Sequence, residues 1–230
     1  MDRKDIKQQD DELAEQLKGS RLETIAEGVS AVVAAAPWIG GPLTAVISGR
    51  VTDRKLQRVN DALVFLAGKL KAVGNTLEED YVRSEEFEDL LDEVLPRISR
   101  ERSQRKRNLY ALYLKGVLTN VEQPYDEKLN FLNALDQLQF AHIEVLNAFL
   151  QKPDNEKIFS GFGGSRIQTL RNRLQNYNEA TIEELVIQLN DLRLTDAKNL
   201  KTMMSSDGAE NLRSVVTPMG QRFYSFLLNE

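Results

Sequence analysis

The chain has no cysteine among its 230 residues. Disulfides, thiolate metal sites and a cysteine nucleophile are therefore excluded, and the usage fits a reducing compartment. Histidine is almost as scarce. His142 stands alone, so neither a histidine-based metal site nor a Ser–His triad has the residues it needs. There is no excess of basic charge either: Lys and Arg number 30 against 35 Asp and Glu, a net charge of -5. No global positive field advertises nucleic acid. The opening segment MDRKDIKQQDDELAEQ is charged throughout and lacks the apolar centre of a secretory signal, so a cytoplasmic location is expected. No catalytic group, metal, cofactor or small-molecule substrate is expected.

What is present begins with an anomaly. In a chain that is 28% charged, Gly28 to Gly49 carries no charge at all: GVSAVVAAAPWIGGPLTAVISG. The run is as long as a membrane span, which takes about 20 apolar residues. Four glycines, two prolines and three Ser/Thr residues dilute it, however, and Pro37 and Pro42 break any single helix. Two helical halves around an elbow are expected, with Val32, Val33, Trp38, Gly40, Gly41, Leu43, Val46 and Ile47 as the residues that matter. Two readings stay open: a hairpin buried at the centre of a bundle, which is favoured, and a membrane-seeking hairpin that associates with a bilayer when the protein is active.

Apolar residues recur at three- and four-residue steps through most of the chain, which predicts helices. The segment LEEDYVRSEEFEDLLDEVL holds nine acids against Arg83 alone, and RISRERSQRKR holds six basic residues against Glu101, with Pro96 expected to break the chain between them. These blocks could fold back on each other, pair between subunits, or be two solvated faces, the usual fate of charge runs. Arg100, Arg102, Arg105, Lys106 and Arg107 are the candidates for a nucleic-acid or partner contact, nucleic acid being disfavoured because the neighbouring acids cancel much of the field.

The character changes after Phe140. Helices are expected over 141–151, from Ser165 to about Tyr177, and from a cap at Thr181, with Glu184 completing a capping box. Two extended runs, Asn199–Met204 and Leu212–Thr217, flank the turn-rich SSDGAEN, and Pro218 opens a final helix. Helices followed by a two-stranded ribbon is the order of a winged helix-turn-helix. The expected fold is thus mainly α: a helical region over 1–138 and a winged-helix-like domain over 139–230.

Three pieces in this order, RSQRKRNLYALYLKGVL, EKLNFLNALDQLQFAHIEVLNAF and VVTPMGQRFYSFL, resemble bacterial proteins of the abortive-infection alpha family and their relatives. The resemblance spans about residues 100–228 and rests on pattern. It implies a bacterial cytosolic protein in phage defence, with no catalytic residues to transfer.

Other candidates weigh less. GFGGS precedes a helix, but no strand leads into it and the Gly-Lys-Ser/Thr ending of a phosphate loop is missing. His142 sits among Phe140, Ile143 and Leu146, as a core histidine would. Glu85/Glu86 and Asp92/Glu93 are sequence neighbours, so they do not face each other on a helix and form no acid–base dyad. The expected function is non-enzymatic and defence-type, exerted through a protein partner or a second copy of the chain. The alternative is a winged-helix DNA-binding regulator, against which the acids of the presumptive recognition helix (Glu183, Glu184, Asp191) and of the wing tip (Asp207, Glu210) count.

Overall fold

The computed structural model describes residues 27–34, 53–73, 79–152, 164–205, 208–209 and 211–228. Most of these are helical: α1 (27–34), α2 (Asp53–Val73), α3 (Glu79–Val82), α4 (Glu85–Arg100), α5 (Gln104–Thr119), α6 (Tyr125–Gln137), α7 (Phe140–Leu150), α8 (Arg166–Arg173), α9 (Glu179–Asp191) and α10 (Pro218–Leu228). The chain divides into two compact units, Met1–Leu129 and Asn130–Asn229, the division falling within α6.

In the first unit, α2 buries Leu56, Val59, Leu63, Leu66 and Leu70 along one stripe, at the spacing that keeps residues on one helix face. Each such burial contributes about 1.5–3 kcal/mol. The central element is α5, buried on nearly every side, Lys106, Arg107 and Lys115 included. α1 lies close against α2. The Gly28 N–H donates to Asn60 Oδ1 at 2.6 Å, and a Cβ at Gly28 would stand 2.8 Å from the Asn60 backbone oxygen.

A break at Pro96 is expected from sequence, but α4 runs on to Arg100. Proline lacks an N–H and crowds the carbonyl four residues back; here both Pro96 and Asp92 lie on the exposed side of the helix, where the displaced carbonyl is not forced into the core. The acids of residues 85–93 and the cations Arg97 and Arg100 therefore share one helix instead of meeting across a break. Ser84 caps the start, accepting from the Phe87 N–H at 3.2 Å, and Glu85, Glu86 and Glu88 fill the first turn, where negative charge suits the helix dipole. At the other end Arg58 of α2 donates to the Ser99 and Arg100 carbonyls at 3.1 and 3.3 Å.

In the second unit, α6 contributes Phe131, which packs edge-on against Phe223 and Phe226 of α10, centroids 5.5 and 5.3 Å apart. α8 ends at Arg173 and not near Tyr177. The cap of α9 is Asn178, whose Oδ1 accepts from the Thr181 N–H at 2.9 Å; the cap lies three residues ahead of the expected Thr181 because Asn178 offers the first competent acceptor. α9 closes through Arg193, held in the left-handed region at φ 57.

Among the described residues there is no sheet, and the two extended runs do not pair with each other. Leu212–Val215 is a 3-10 turn. Val216 bridges to Thr195 and Met204 to Gly164, both antiparallel. Asn190 supports this crossing, its Oδ1 accepting from the Thr195 hydroxyl and the Ala197 N–H at 2.7 and 2.9 Å. Thr217 then caps α10, accepting from the Gly220 N–H at 3.0 Å, with Pro218 in the first helical position, where its missing N–H costs nothing.

Two glycines of the first unit separate crowding from entropy. Gly68 lies on the exposed side of α2, where an added Cβ would meet nothing within 4 Å, so Gly68→Ala should stabilise by about 0.5–1 kcal/mol. Gly28→Ala, forced against the Asn60 backbone, should destabilise by about 1–3 kcal/mol. Urea unfolding at unchanged slope checks both; equal effects would show that α1 does not hold this contact.

Candidate functional site

Helix α7 is apolar apart from a few side chains, and each of these meets a different neighbour. His142 is only 3% exposed. Its Nδ1 accepts the Gln139 N–H at 2.9 Å, and its Nε2 lies 2.6 Å from Gln188 Oε1 on α9. Glu144 accepts from the Tyr177 hydroxyl, and Asn147 Oδ1 accepts from the Tyr224 hydroxyl of α10 at 2.6 Å. Arg173, at the end of α8, donates to the Ala148 and Gln151 carbonyls at 2.7 and 3.1 Å, carbonyls that a helix end leaves unpaired.

α9 held in this way turns Glu184, Ile187, Gln188 and Asp191 outward. Ile187 is 57% exposed. Two lysines near this face are paired within the chain. Lys201 lies 3.3 Å from Glu179 and 3.0 Å from Glu183, and the hydrogen bonds from Glu183, then Glu179, hold its ammonium above the usual lysine range. Lys198 pairs with Asp196 at 3.0 Å.

A second polar cluster lies in the first unit. Lys128, fully buried, donates to Glu86 Oε1 at 2.9 Å, the Tyr81 hydroxyl at 3.0 Å and the Val121 carbonyl at 3.0 Å. Its ammonium also sits 4.4 Å from the Tyr81 ring centroid, and Tyr81 donates to Glu86 at 2.8 Å. Burial pushes the Glu86 carboxyl up, but the hydrogen bonds from Lys128 and Tyr81 more than offset this and hold it below the usual carboxylate range. Burial, reinforced by the bond to Glu86, pushes the Tyr81 phenol well above its ordinary value. All donors of the lysine are used, so the cluster clamps α3, α4 and α6. Nothing in the sequence marks it, because a lone lysine at a helical position reads as a solvated residue.

Of the residues singled out from sequence, Val32 is buried and Val33 half-buried on α1; Trp38, Gly40, Gly41, Leu43, Val46 and Ile47 lie outside the described residues. Arg100, Arg102 and Arg105 face solvent. Lys106 and Arg107 are 6% and 7% exposed. Arg107 spans the link between α4 and α5, donating to the Glu101 and Arg102 carbonyls at 3.3 and 2.9 Å and reaching Asp61 at 3.4 Å. Among the described residues no group of three or more His, Asp and Glu could hold a metal, and no helix is long and apolar enough to cross a membrane. No family model matches the chain, and neither a curated protein nor a solved structure matches it.

The Lys128 cluster makes an asymmetric prediction. Glu86→Ala leaves a buried ammonium without its counter-charge and should cost about 3 kcal/mol or more. Lys128→Met leaves a carboxylate that reaches water and places an apolar side chain on Tyr81, so its cost should be about 1–2 kcal/mol. Because the folded-state Glu86 titrates below its unfolded value, the pair's contribution is complete above about pH 4.3 and is lost as pH falls further. Denaturant unfolding at pH 7 and pH 3 checks the order, and a costlier Lys128→Met would reverse the assignment.

Proposed function

We propose that the chain is a non-enzymatic, defence-type protein of the abortive-infection kind that acts by binding another protein through the outer face of α9. The observation that carries this reading is the chemistry of that face. An exposed isoleucine flanked by Glu184, Gln188 and Asp191 suits a mixed apolar and basic protein surface. Protein contact sites set apolar side chains within a polar rim. The same face opposes DNA, since phosphates would meet carboxylates, and the nearby Lys198 and Lys201 are paired with acids of the chain itself.

The C-terminal unit is proposed as a winged-helix-like module used for partner contact. The order α7, α8, a short turn and α9 supports it, as do the bridges from Met204 back to Gly164 and from Val216 back to Thr195. The cytoplasm is the proposed location. For the 28–49 run, the buried Val32 and the tight Gly28–Asn60 contact support the internal hairpin over the membrane-seeking one.

Two measurements test the proposal. In fluorescence anisotropy the full chain should leave labelled duplex DNA unbound at physiological salt; sub-micromolar binding with a steep salt slope would establish the DNA-binding alternative. Ile187→Asp should keep the wild-type melting temperature, as surface changes do to within about 0.5 kcal/mol, yet lose protection in a plaque assay of bacteria expressing the chain. Undiminished protection would remove α9 as the contact face.

A further inference from the structure

The acid and basic blocks on either side of Pro96 cannot fold back on each other. Helix α4 runs unbroken from Glu85 to Arg100, so its ends stand about 22 Å apart at 1.5 Å per residue. Its acids gather toward the N-terminus. Glu86 is bonded to Lys128 and Glu93 to Arg97, but Glu85, Glu88, Asp89 and Asp92 are exposed and form no ion pair among the described residues. Asp92, the nearest of the four to Arg100, is still about 12 Å from it along the axis, beyond the screening length of about 8 Å at physiological salt. Burial, then the charges of Asp89, Glu93, Glu86 and Asp126, push the nearby Tyr125 phenol above its ordinary value, as a concentrated negative field does.

The cations collect at the other end. Arg58 of α2 donates to the Ser99 and Arg100 carbonyls and Arg107 of α5 to those of Glu101 and Arg102. The starts of α2 and α5 therefore both sit at the C-terminal end of α4. Arg54, Lys55, Arg100 and Arg102 are exposed there and form no ion pair among the described residues. The acids beside them are engaged: Asp61 faces Arg107, and Glu101 accepts the Ser103 N–H at 2.6 Å. Both patches oppose the stability of a lone chain. Glu85 and Asp89, like Glu88 and Asp92, stand four residues apart on one helix face, where like charges repel, and the helix dipole offsets this only in the first turn. Arg54 and Lys55 follow Asp53 in the first turn of α2, and Arg105 lies in that of α5, where a cation opposes the dipole.

We propose that the acidic face of α4 in one copy of the chain docks on the basic end formed by α2, α4 and α5 of the next copy. Charge complementarity selects this occupant: the two surfaces match in sign, and a single unbroken helix keeps them from meeting within one chain. The surfaces are unlike, so the association is head-to-tail. Each added copy leaves one face of each kind unused at the ends, and the assembly closes into a ring or grows as an open filament. Neither Ile187 nor any other part of α9 takes part, so the proposal stands independently of the partner reading of that face.

Sedimentation velocity on the full chain tests this. At about 0.01 M salt, where charges act over about 30 Å, the weight-average mass should rise with protein concentration to about twice that of one chain or more. At about 1 M salt, where charges act over about 3 Å, it should stay at one chain. The triple change Glu88→Gln, Asp89→Asn, Asp92→Asn removes one face, and Arg54→Gln, Lys55→Gln, Arg102→Gln removes the other. All six positions are exposed, so both variants should melt as the wild type does. Each alone should remain a single chain at low salt. Mixed, they should form a one-to-one pair and nothing larger, because each keeps one working face. Ile187→Asp should associate as the wild type does, whatever its effect on protection. A wild type that stays a single chain at low salt would overturn the proposal and leave both faces to another partner or to water. Variants that associate undiminished, or a mixture that forms no pair, would overturn it too. Loss of association in Ile187→Asp would do the same, by placing the contact on α9.

Discussion

α7 is an eleven-residue helix set almost wholly inside the C-terminal unit, so every polar atom it carries has to find a partner there. An unpaired buried donor or acceptor costs about 1–3 kcal/mol. The requirement does more than avoid a penalty. His142 reaches α9, Glu144 the turn ahead of it, Asn147 the last helix, and the C-terminal carbonyls of α7 take Arg173 from α8. Apolar packing alone would let these helices slide by a turn at modest cost. Four directional bonds from one helix oppose such slips, and the one from His142 reaches α9 itself.

The N-terminal unit meets the same requirement with charge. Lys128 is surrounded by an acid, a phenol, a carbonyl and an aromatic face, and Arg107 of the basic run is directed at the Glu101 and Arg102 carbonyls. Arg58 and Arg107 close the end of α4 as a capping residue would. Part of what looks like a nucleic-acid-type basic run is therefore a solution to a helix-end problem.

Much of the helical skeleton was legible in the sequence. The stripe Leu56, Val59, Leu63, Leu66, Leu70 and that of Phe87, Leu90, Leu91, Val94 lie on single helix faces, and the period of 3.6 needs no tertiary knowledge. Pro96 was misleading because its cost depends on whether the displaced carbonyl reaches water, a property of the packed helix. Asn178 was missed because Thr181 and Glu184 also fit a capping pattern, and two local signals cannot be ranked without the turn that precedes them. The partners of Thr195 and Met204 were hidden for a deeper reason. Single bridges between segments far apart in sequence carry no periodicity. Lys106 and Arg107 read in the sequence as candidates for an outside contact, and nothing there marks Lys128, because burial of a charge is decided by what surrounds it.

The reach of the α7 contacts also bears on the order in which the molecule assembles during synthesis. The Lys128 clamp draws on residues 81, 86 and 121, all translated before it, so the N-terminal unit has its polar partners once residue 128 is available. Asn147 waits for Tyr224, 77 residues later, and Phe131 waits for Phe223 and Phe226. The aromatic seam of the second unit thus stays open, with α6 and α7 exposed to chaperones or to a neighbouring nascent chain, until the ribosome has passed residue 226. Domains fold in the order of their emergence; here the later unit depends on its final helix to close.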